Sequence, residues 1–309
     1  MNLGIVTVTY GNRIEYLSKL ISGLDSEVVK LICVIVNGSP KRLFKNLSRI
    51  KKVKFIFNNE NLGSAKGFKQ GIKFLKSSSD IDFLWLMDDD NLPKPNALKN
   101  LIKFHKSCTF NNEKDALLSY RPDRPNFLEA VKTNNGSIML KGKNSALGFS
   151  LFGNNDNFSD YRKKGLKVTP YGGFFFNKNL IERIGYPDEK YFLYGDDYDF
   201  TIRVSKNGGK ILLVEDSVIN DLETSFHIKN DKRNTFLKTR YHNTSNLDRI
   251  FYSVRNGIKF ELKYMVDNKL FYYLNLSIYS LLIGGLLVFN PKKNIAFYKG
   301  VFNGIINKI

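Results

Sequence analysis

The sequence predicts an α/β protein with a largely parallel sheet, and three observations support this fold class. Apolar, β-branched runs alternate with segments of helical periodicity through the first hundred residues. One of these runs ends abruptly in Asp88, Asp89 and Asp90. The last quarter of the chain is instead both basic and apolar. Strands that alternate with helices need crossover connections, which join parallel neighbours in a sheet.

The predicted elements follow one another along the chain. Strands are predicted at 3–9, 31–36, 53–57 and 81–87, with helices within 14–24 and 65–75. Later segments predict a strand at 171–176, helices at 179–184 and 196–206, and a last strand at 210–214. The turn-rich residues 121–125 and the polar residues 153–165 are interpreted as loops around a site. A loop follows each of the first four strands, at the edge where open α/β sheets bind ligands.

Length and composition indicate a folded globular protein. The 309 residues are 42% hydrophobic and 25% charged, enough for one large α/β domain with an appendage or for two small domains. Two cysteines cannot form a disulfide framework, which favours a reducing compartment. Cys33 lies within an apolar strand pattern and is predicted to be a small core residue. The chain runs directly into its first strand without a basic leader, which favours a cytoplasmic location.

The net charge of +19 predicts an anionic partner. From residue 229 onward there are 14 Lys and Arg against 4 Asp and Glu. The basic residues there alternate with aromatic and aliphatic ones, a pattern that suits a membrane surface better than a nucleic-acid groove. A basic surface in contact with solvent is the alternative.

An uncharged stretch covers residues 271–289, near the length that spans a bilayer. Asn275, Ser277, Ser280 and the Gly284–Gly285 pair argue against a span. The alternatives are a helix that lies on a membrane, one that packs on the rest of the chain, and one that contacts a second subunit.

The three aspartates after the fourth strand predict a metal site. In an extended segment, residues two apart point the same way, so Asp88 and Asp90 can converge while Asp89 faces elsewhere. A hard divalent cation favours such a pair of carboxylates. His227 is a candidate third ligand, since an Asp/Asp/His set is compatible with Mn²⁺, although a lone histidine is more often structural. A solvated acidic turn is the alternative for the aspartates.

A second acidic cluster, residues 194–200, predicts a general base. Gly195 permits a turn, and Asp196 and Asp197 then begin a helix, where the macrodipole favours negative charge. Aromatic neighbours would partly desolvate these carboxylates and raise their pKa. Helix capping alone would need one acid.

A third motif, residues 58–68, predicts an anion site. Small residues that open a helix let backbone amides approach a phosphate. The candidate contacts are Asn61, Gly63 and Lys66. The motif is neither a dinucleotide fingerprint nor a P-loop, and an Asn-rich turn that only starts a helix is the alternative.

Taken together, these motifs resemble a known family. Residues 6–13, 34–39, 61–68, 88–90 and 195–200 occur in the order seen in family 2 glycosyltransferases of the GT-A fold, and the resemblance covers about residues 3–230. The segments 171–176 and 252–256 look most similar to the galactofuranosyltransferase and rhamnosyltransferase branch.

The resemblance implies a Rossmann-like mixed sheet flanked by helices, with a helical, membrane-proximal C-terminal extension. The catalytic domain would cover 1–230, with a nucleotide-binding half at 1–106 and an acceptor and base half at 107–230. Residues 231–309 would form the extension and supply a membrane or homo-oligomer contact.

The resemblance also implies roles for individual residues in an inverting transferase. Asp88, Asp90 and His227 would hold Mn or Mg on the donor diphosphate, and Asp89 would lie near the ribose. Asp197 would be the general base, with Asp196 positioning it or binding the acceptor. The nucleotide pocket would be lined by Thr9, Tyr10, Arg13 and Asn37, of which Asn37 stands where many relatives carry Asp.

The implied reaction belongs to polysaccharide biosynthesis. The donor would be UDP-galactofuranose or dTDP-rhamnose, and the acceptor would be a hydroxyl of a growing, lipid-linked cell-surface glycan. The enzyme would associate peripherally with the inner face of the cell membrane and would bind no nucleic acid.

Three other functions fit parts of the sequence. A sugar nucleotidyltransferase is also Mg-dependent, but it would carry a glycine-rich turn after the first strand, where residues 10–13 hold one glycine. A basic membrane-binding or nucleic-acid-binding protein could keep the same shell without catalysis. A glycosidase could use two carboxylates.

Overall fold

Eight strands form one mixed sheet in the computed structural model, which describes residues 1–24, 26–137, 140, 142–152, 160–223 and 241–306. The strand order is β3-β2-β1-β4-β7-β6-β8-β5. The strands are β1 (Leu3–Tyr10), β2 (Val29–Asn37), β3 (Val53–Asn58), β4 (Phe83–Asp88), β5 (Asn91–Pro93), β6 (Ala116–Tyr120), β7 (Phe174–Asn177) and β8 (Ile211–Asp221).

The parallel half of the sheet confirms the predicted crossover topology. β1 pairs in parallel with β2 and β4, and β2 pairs in parallel with β3. The register places Tyr10 opposite Asn37, Asn37 opposite Asn58, and Val8 opposite Asp88. The carboxyl ends of the four strands therefore meet at one edge, as their parallel pairing requires.

The other half of the sheet contains antiparallel pairs. β7 is antiparallel to both β4 and β6, β6 is parallel to β8, and β5 is antiparallel to β8. The predicted strand at 171–176 begins instead at Phe174, because Gly173 has a φ of +93° and turns the chain just before it. β5 and β6 were not predicted from the sequence, and β8 continues well past the predicted end at Val214.

Ten α-helices accompany the sheet among the described residues. They are α1 (Ile14–Gly23), α2 (Gly63–Lys76), α3 (Ala97–Ser107), α4 (Pro125–Thr133), α5 (Tyr161–Lys164), α6 (Leu180–Ile184), α7 (Asp196–Lys206), α8 (Leu247–Tyr264), α9 (Lys269–Leu286) and α10 (Pro291–Ile306). The predicted helices within 14–24 and 65–75 and at 179–184 and 196–206 correspond to α1, α2, α6 and α7.

The described residues fall into two compact units. The first consists of those within 1–139, 159–192 and 196–223, and the second of those within 140–158, 193–195 and 224–309. The predicted domain boundary at residue 230 lies outside the described residues. In the first unit, the strands bury a core around Trp85 and the stacked rings of Phe83 and Phe175, and Cys33 is fully buried as predicted.

The second unit has its own core, formed by α8, α9 and α10 with residues from the 140–152 segment. Tyr272, Leu276, Ile283 and Phe297 belong to this core. Asn275 is buried within α9, where its amide accepts hydrogen bonds from the main-chain N–H groups of Leu151 and Phe152 (2.8 and 3.1 Å). No helix in the described part of the chain combines the length and hydropathy needed to cross a bilayer.

Candidate active site

Asp88 is the last residue of β4, and the chain turns immediately after it. The Asn91 side chain stabilises this turn, because its Oδ1 accepts a hydrogen bond from the Asp88 N–H at 2.9 Å. The Nδ2 atom of the same side chain donates a hydrogen bond to Asp221 Oδ1 at 2.9 Å. Asn91 therefore ties the end of β4 to the end of β8.

Asp89 turns away from Asp88 and is buried beside the end of β1. It accepts a hydrogen bond from Thr9 Oγ1 at 2.7 Å and two from Arg13 Nε at 2.9 and 3.0 Å. Arg13 also reaches Glu223 at 2.5 Å and Asp90 at 3.4 Å. Asp89 thus orients Arg13 and Thr9, and its predicted place near the ribose stays a prediction.

Asp88 faces a buried arginine that the sequence analysis did not single out. Arg121 is fully buried, and its Nη1 lies 3.4 Å from Asp88 Oδ2. Its Nη2 forms an ion pair with Asp221, which also binds Arg124 Nε at 2.6 Å. These ion pairs therefore hold the loop at 121–125 against the site. The available signal in the sequence was an arginine followed by a proline, because β6 itself was not predicted.

The carboxylates in this cluster repel one another, which is unfavourable in a buried site. Burial, followed by the charges of Asp88, Asp89 and Asp221, raises the pKa of Asp90 to about 7. A divalent cation would relieve this repulsion, and one or two carboxylates beside substrate phosphates are the usual protein ligands of Mg²⁺. Asp88 and Asp90 therefore fit the predicted metal chemistry by donor type and charge.

A metal site made of protein ligands alone is not visible in the described residues, which contain no group of three or more His, Cys, Asp or Glu side chains arranged to hold a metal. His227, the predicted third ligand, lies outside the described residues. The assignment of Asp88, Asp90 and His227 to a metal stays a prediction.

The second acidic cluster begins α7, as predicted. Asp196 is buried and accepts a hydrogen bond from Ser64 Oγ at 2.7 Å. Burial raises the pKa of Asp196 to about 6, while the hydrogen bond from Ser64 opposes the rise. Asp197 is half-buried, and burial together with the charge of Asp196 raises its pKa well above the usual range. The third acid, Asp199, instead pairs with Arg203 at 3.2 Å.

The segment before β7 connects the two acidic clusters. The Tyr171 ring is buried, and the negative charge of Asp196 adds to burial in raising its pKa. The next residue, Gly172, leaves room for the first cluster, since a Cβ there would lie 2.4 Å from Asn91 Oδ1 and 2.7 Å from Asp88 Oδ2. The Asp88 carboxylate is also close enough to raise the pKa of both Asp196 and Asp197. The fold therefore brings both predicted clusters to one place.

The amino end of α2 makes contacts within the protein. Gly63 has a φ of +79°, and a Cβ there would lie 2.2 Å from the Phe192 carbonyl oxygen. The Gly63 N–H donates to Asn61 Oδ1 at 3.0 Å, and the Ala65 N–H donates to the Phe192 oxygen at 3.4 Å. These small residues thus allow the chain at 192 to approach. Their contact with a donor phosphate stays a prediction.

The remaining predicted nucleotide-binding residues lie at or near the same edge. Asn37 is buried, and its Nδ2 donates to the Gly63 carbonyl at 3.0 Å while its Oδ1 accepts from Asn58 at 2.9 Å. Tyr10 is exposed, 5.5 Å from the Arg13 guanidinium. Lys66 is half-exposed and 4.0 Å from Glu189. The amide of Asn37 thus positions α2, and its contact with a base stays a prediction.

A mixed sheet flanked by helices, with acids at the carboxyl end of its central strand β4, is consistent with the GT-A fold. The model of the family described as glycosyl transferase family 2 matches residues 5–184, more than half of the chain. This protein therefore belongs to glycosyl transferase family 2.

Solved structures share this fold at low sequence identity. GalNAc-T7, solved with UDP, GalNAc and Mn²⁺, matches with a TM-score of 0.54 and 11% identity, over 84% of this chain and 47% of that one. S. aureus TarS 1-349 in complex with UDP-GlcNAc matches with a TM-score of 0.52 and 15% identity, over 97% of this chain and 82% of that one. The present chain thus spans about half of GalNAc-T7. No curated protein matches the sequence.

Proposed function

We propose that the protein is an inverting, metal-dependent glycosyltransferase that uses a nucleotide-diphosphate sugar. The observation that carries this proposal is the approach of Asp196 and Asp197 to the Asp88 cluster, with Tyr171 and Gly172 between them. Sugar transfer needs an acidic site for the leaving diphosphate and a separate carboxylate for the acceptor. The chain supplies both at one edge of the sheet.

Asp197 is the proposed general base. Its raised pKa makes it a stronger base towards a hydroxyl proton than an exposed aspartate. As the acceptor oxygen bonds to the anomeric carbon, the bond from that carbon to the diphosphate oxygen breaks, and the acceptor proton moves to Asp197. Asp196, held by Ser64, positions its neighbour and keeps its pKa high.

Asp88 and Asp90 are the proposed metal ligands, with Mn²⁺ or Mg²⁺ as the ion. The ion, when bound, stabilises the negative charge that develops on the leaving diphosphate. Arg121 and Asn91 fix the Asp88 side chain and main chain, respectively. Among the fold neighbours, GalNAc-T7 was crystallised with UDP and Mn²⁺, which supports a divalent ion here.

We favour UDP-galactofuranose or dTDP-rhamnose as donor, because residues 171–176 and 252–256 resemble that branch of the family. The UDP-GlcNAc complex of S. aureus TarS supports a UDP-linked donor. A lipid-linked glycan at the inner face of the membrane is the proposed acceptor, supported by the basic, partly apolar C-terminal region.

Thermal unfolding with and without ligand tests the donor site. UDP with Mn²⁺ at about 100 times its Kd is expected to add about 2.7 kcal/mol to the free energy of unfolding. Asp88→Asn should lose the Mn²⁺-dependent part of this stabilisation. The exposed Asp80→Asn, on the loop before β4, is the matched control and should retain it. No stabilisation by UDP or dTDP with either metal would refute the proposal.

Asp197→Asn tests the base. Removal of a general base is expected to lower transfer by about 10²–10⁴-fold. The assay measures UDP release from UDP-galactofuranose, or dTDP release from dTDP-rhamnose, with a bacterial lipid extract as the acceptor source. UDP-dependent stabilisation should persist in this variant. If it disappears, Asp197 belongs to the donor site and the base is another residue.

A further inference from the structure

The turn between α9 and α10 exposes apolar side chains. We call residues 287–293 the α9–α10 tip. Phe289 is 98% exposed and Val288 is 57% exposed. Most of the surface of these two adjacent apolar side chains is left uncovered by the described residues. Exposed apolar patches of this kind mark contacts with a partner or a membrane.

An apolar groove runs from the tip along α10. It has a volume of about 550 Å³ and includes Ile295 and Phe302, both more than half exposed. Tyr298, one of the lining residues, is held in place because its Oη donates a hydrogen bond to the Ser280 carbonyl at 3.0 Å. Gly284 makes this packing possible, since a Cβ there would lie 2.1 Å from the same hydroxyl. The groove is lined by Val288, Pro291, Asn294, Ile295, Tyr298, Lys299 and Phe302.

A polar, basic pocket adjoins the tip. It has a volume of about 690 Å³ and is lined by Asn243, Thr244, Ser245, Asn290, Lys292 and Lys293, together with His242 and Leu247. Lys293 Nζ donates to the His242 carbonyl at 2.7 Å, which holds the ammonium group at the pocket wall. Hydroxyl, amide and ammonium donors in one pocket suit an anion such as a phosphate.

All charged side chains among the described residues of the two helices that carry the tip are positive. Residues 269–306 contain four lysines and no acidic residue. Asp248 is the one acid within two positions of any residue that lines the groove or the pocket, and Arg249 follows it directly. The outer side of α9 adds further exposed apolar residues, with Leu281 at 73% and Leu270 at 65%.

These features favour a lipid surface over a second copy of the chain. A two-fold interface pairs a patch with itself, so it would bring the lysines of one tip against those of the other. An anionic bilayer instead offers phosphates to the lysines and acyl chains to Phe289 and the groove.

We propose that the α9–α10 tip docks the protein on a bilayer that contains anionic phospholipids. Phe289 and Val288 enter the boundary between headgroups and acyl chains, and Lys292 and Lys299 contact headgroup phosphates. The proposal concerns a surface of the second unit and is independent of which sugar is transferred.

Vesicle co-sedimentation of the full chain tests this proposal. Binding is expected to vesicles of equal parts phosphatidylglycerol and phosphatidylcholine, to weaken as salt rises, and to be much weaker with phosphatidylcholine alone. Phe289→Ser should lower the affinity at least about tenfold. Each of Lys292→Gln and Lys299→Gln should lower it about fivefold, and the pair about 25-fold.

Matched controls distinguish docking through the tip from nonspecific adsorption to vesicles. Ile50→Ser removes an exposed apolar residue, and Lys45→Gln removes an exposed charge, both in the first unit. Neither should change vesicle affinity. All tip variants should keep the stabilisation by UDP and Mn²⁺, so failure of docking is distinguishable from failure of the proposed transferase function.

Three outcomes would overturn the proposal. The first is no binding to anionic vesicles. The second is binding that Phe289→Ser and the lysine changes leave intact. The third is concentration-dependent dimerisation, detected by sedimentation velocity, that Phe289→Ser abolishes while vesicle binding is absent; this result would assign the tip to a contact between copies.

Discussion

Asp196 and Asp197 are adjacent in the chain, yet their surroundings give them different properties. Asp196 is buried and bound by Ser64 of α2, whereas Asp197 is half-buried and accepts the Tyr198 N–H at 2.9 Å. Burial, followed by the charge of Asp196, raises the pKa of Asp197. Because neighbouring residues on a helix point in different directions, one can be held by the fold while the other faces a substrate.

Gly63 offers the sharpest test of a single residue's structural role. Its φ of +79° and the close Phe192 carbonyl oxygen both oppose a side chain. Gly63→Ala is expected to lower the free energy of unfolding by about 2–4 kcal/mol, from backbone strain plus overpacking. Urea denaturation measures the change.

Gly208→Ala is the matched control for Gly63→Ala. Gly208 has a φ of +76° and no atom within 4 Å of the position a Cβ would take. Only the backbone strain applies there, so we expect a loss of about 1 kcal/mol. Equal losses in the free energy of unfolding would show that the close Phe192 carbonyl does not contribute to the effect of Gly63→Ala.

At the scale of elements, the site depends on a network that joins three strand ends. Arg121 after β6 binds Asp221 at the end of β8 and faces Asp88 at the end of β4, and Asn91 bridges the same two strands. Asp221 also holds Arg124 at 2.5 Å. Removal of one member of such a buried network leaves an uncompensated charge, which is strongly destabilising.

Arg121→Met tests this network. Removal of the guanidinium leaves buried negative charge without its partner, and we expect a loss of about 3–5 kcal/mol in the free energy of unfolding. The control is Glu182→Gln, which breaks the exposed pair with Lys76 at 2.6 Å and should cost less than about 1 kcal/mol. A small effect at Arg121, comparable with the control, would contradict a structural role for the network.

For the whole molecule, charge is distributed unevenly. The chain carries a net charge of +19, yet Asp88, Asp90, Asp197 and Glu223 gather at or near one edge of the sheet. A basic exterior raises the local concentration of anionic substrates such as nucleotide sugars. In the proposed reaction, a cation at the acidic site offsets the repulsion between these carboxylates and the donor diphosphate.

The carboxylates predict how stability varies with pH in metal-free protein. In the folded state the pKa of Asp90 is about 7 and that of Asp196 about 6, above the usual value of 3.8. Between pH 5.5 and 7.5 the folded state therefore binds more protons than the unfolded state, so stability falls as pH rises. We expect a loss of about 3 kcal/mol across this range in EDTA.

Asp90→Asn should lower this loss by about 2 kcal/mol, whereas Asp80→Asn should leave it unchanged. Denaturant unfolding at several pH values measures the slope for each variant. A slope that Asp90→Asn leaves unchanged would show that other groups titrate in this range.

The site was predictable in part. Asp88, Asp89, Asp90, Asp196 and Asp197 stand out in the sequence because acids directly after an apolar strand or at a helix start are unusual. Arg121, Asp221 and Ser64 did not stand out, because each is an ordinary polar residue whose partner lies far along the chain, 132 positions away for Ser64 and Asp196. Contacts of that range depend on how the strands are ordered.

The same division applies to the fold. Periodicity by itself determined the parallel strands β1 to β4 with α1 and α2, since local burial patterns follow chain geometry. The tertiary structure decided three features that the hydrophobic periodicity cannot encode. They are the antiparallel insertion of β7, the pairing of β5 and β6, and the packing of the apolar stretch at 271–289. That stretch became α9 of a helical core because Asn275 and Tyr272 find buried partners in this chain, which a bilayer would not have offered.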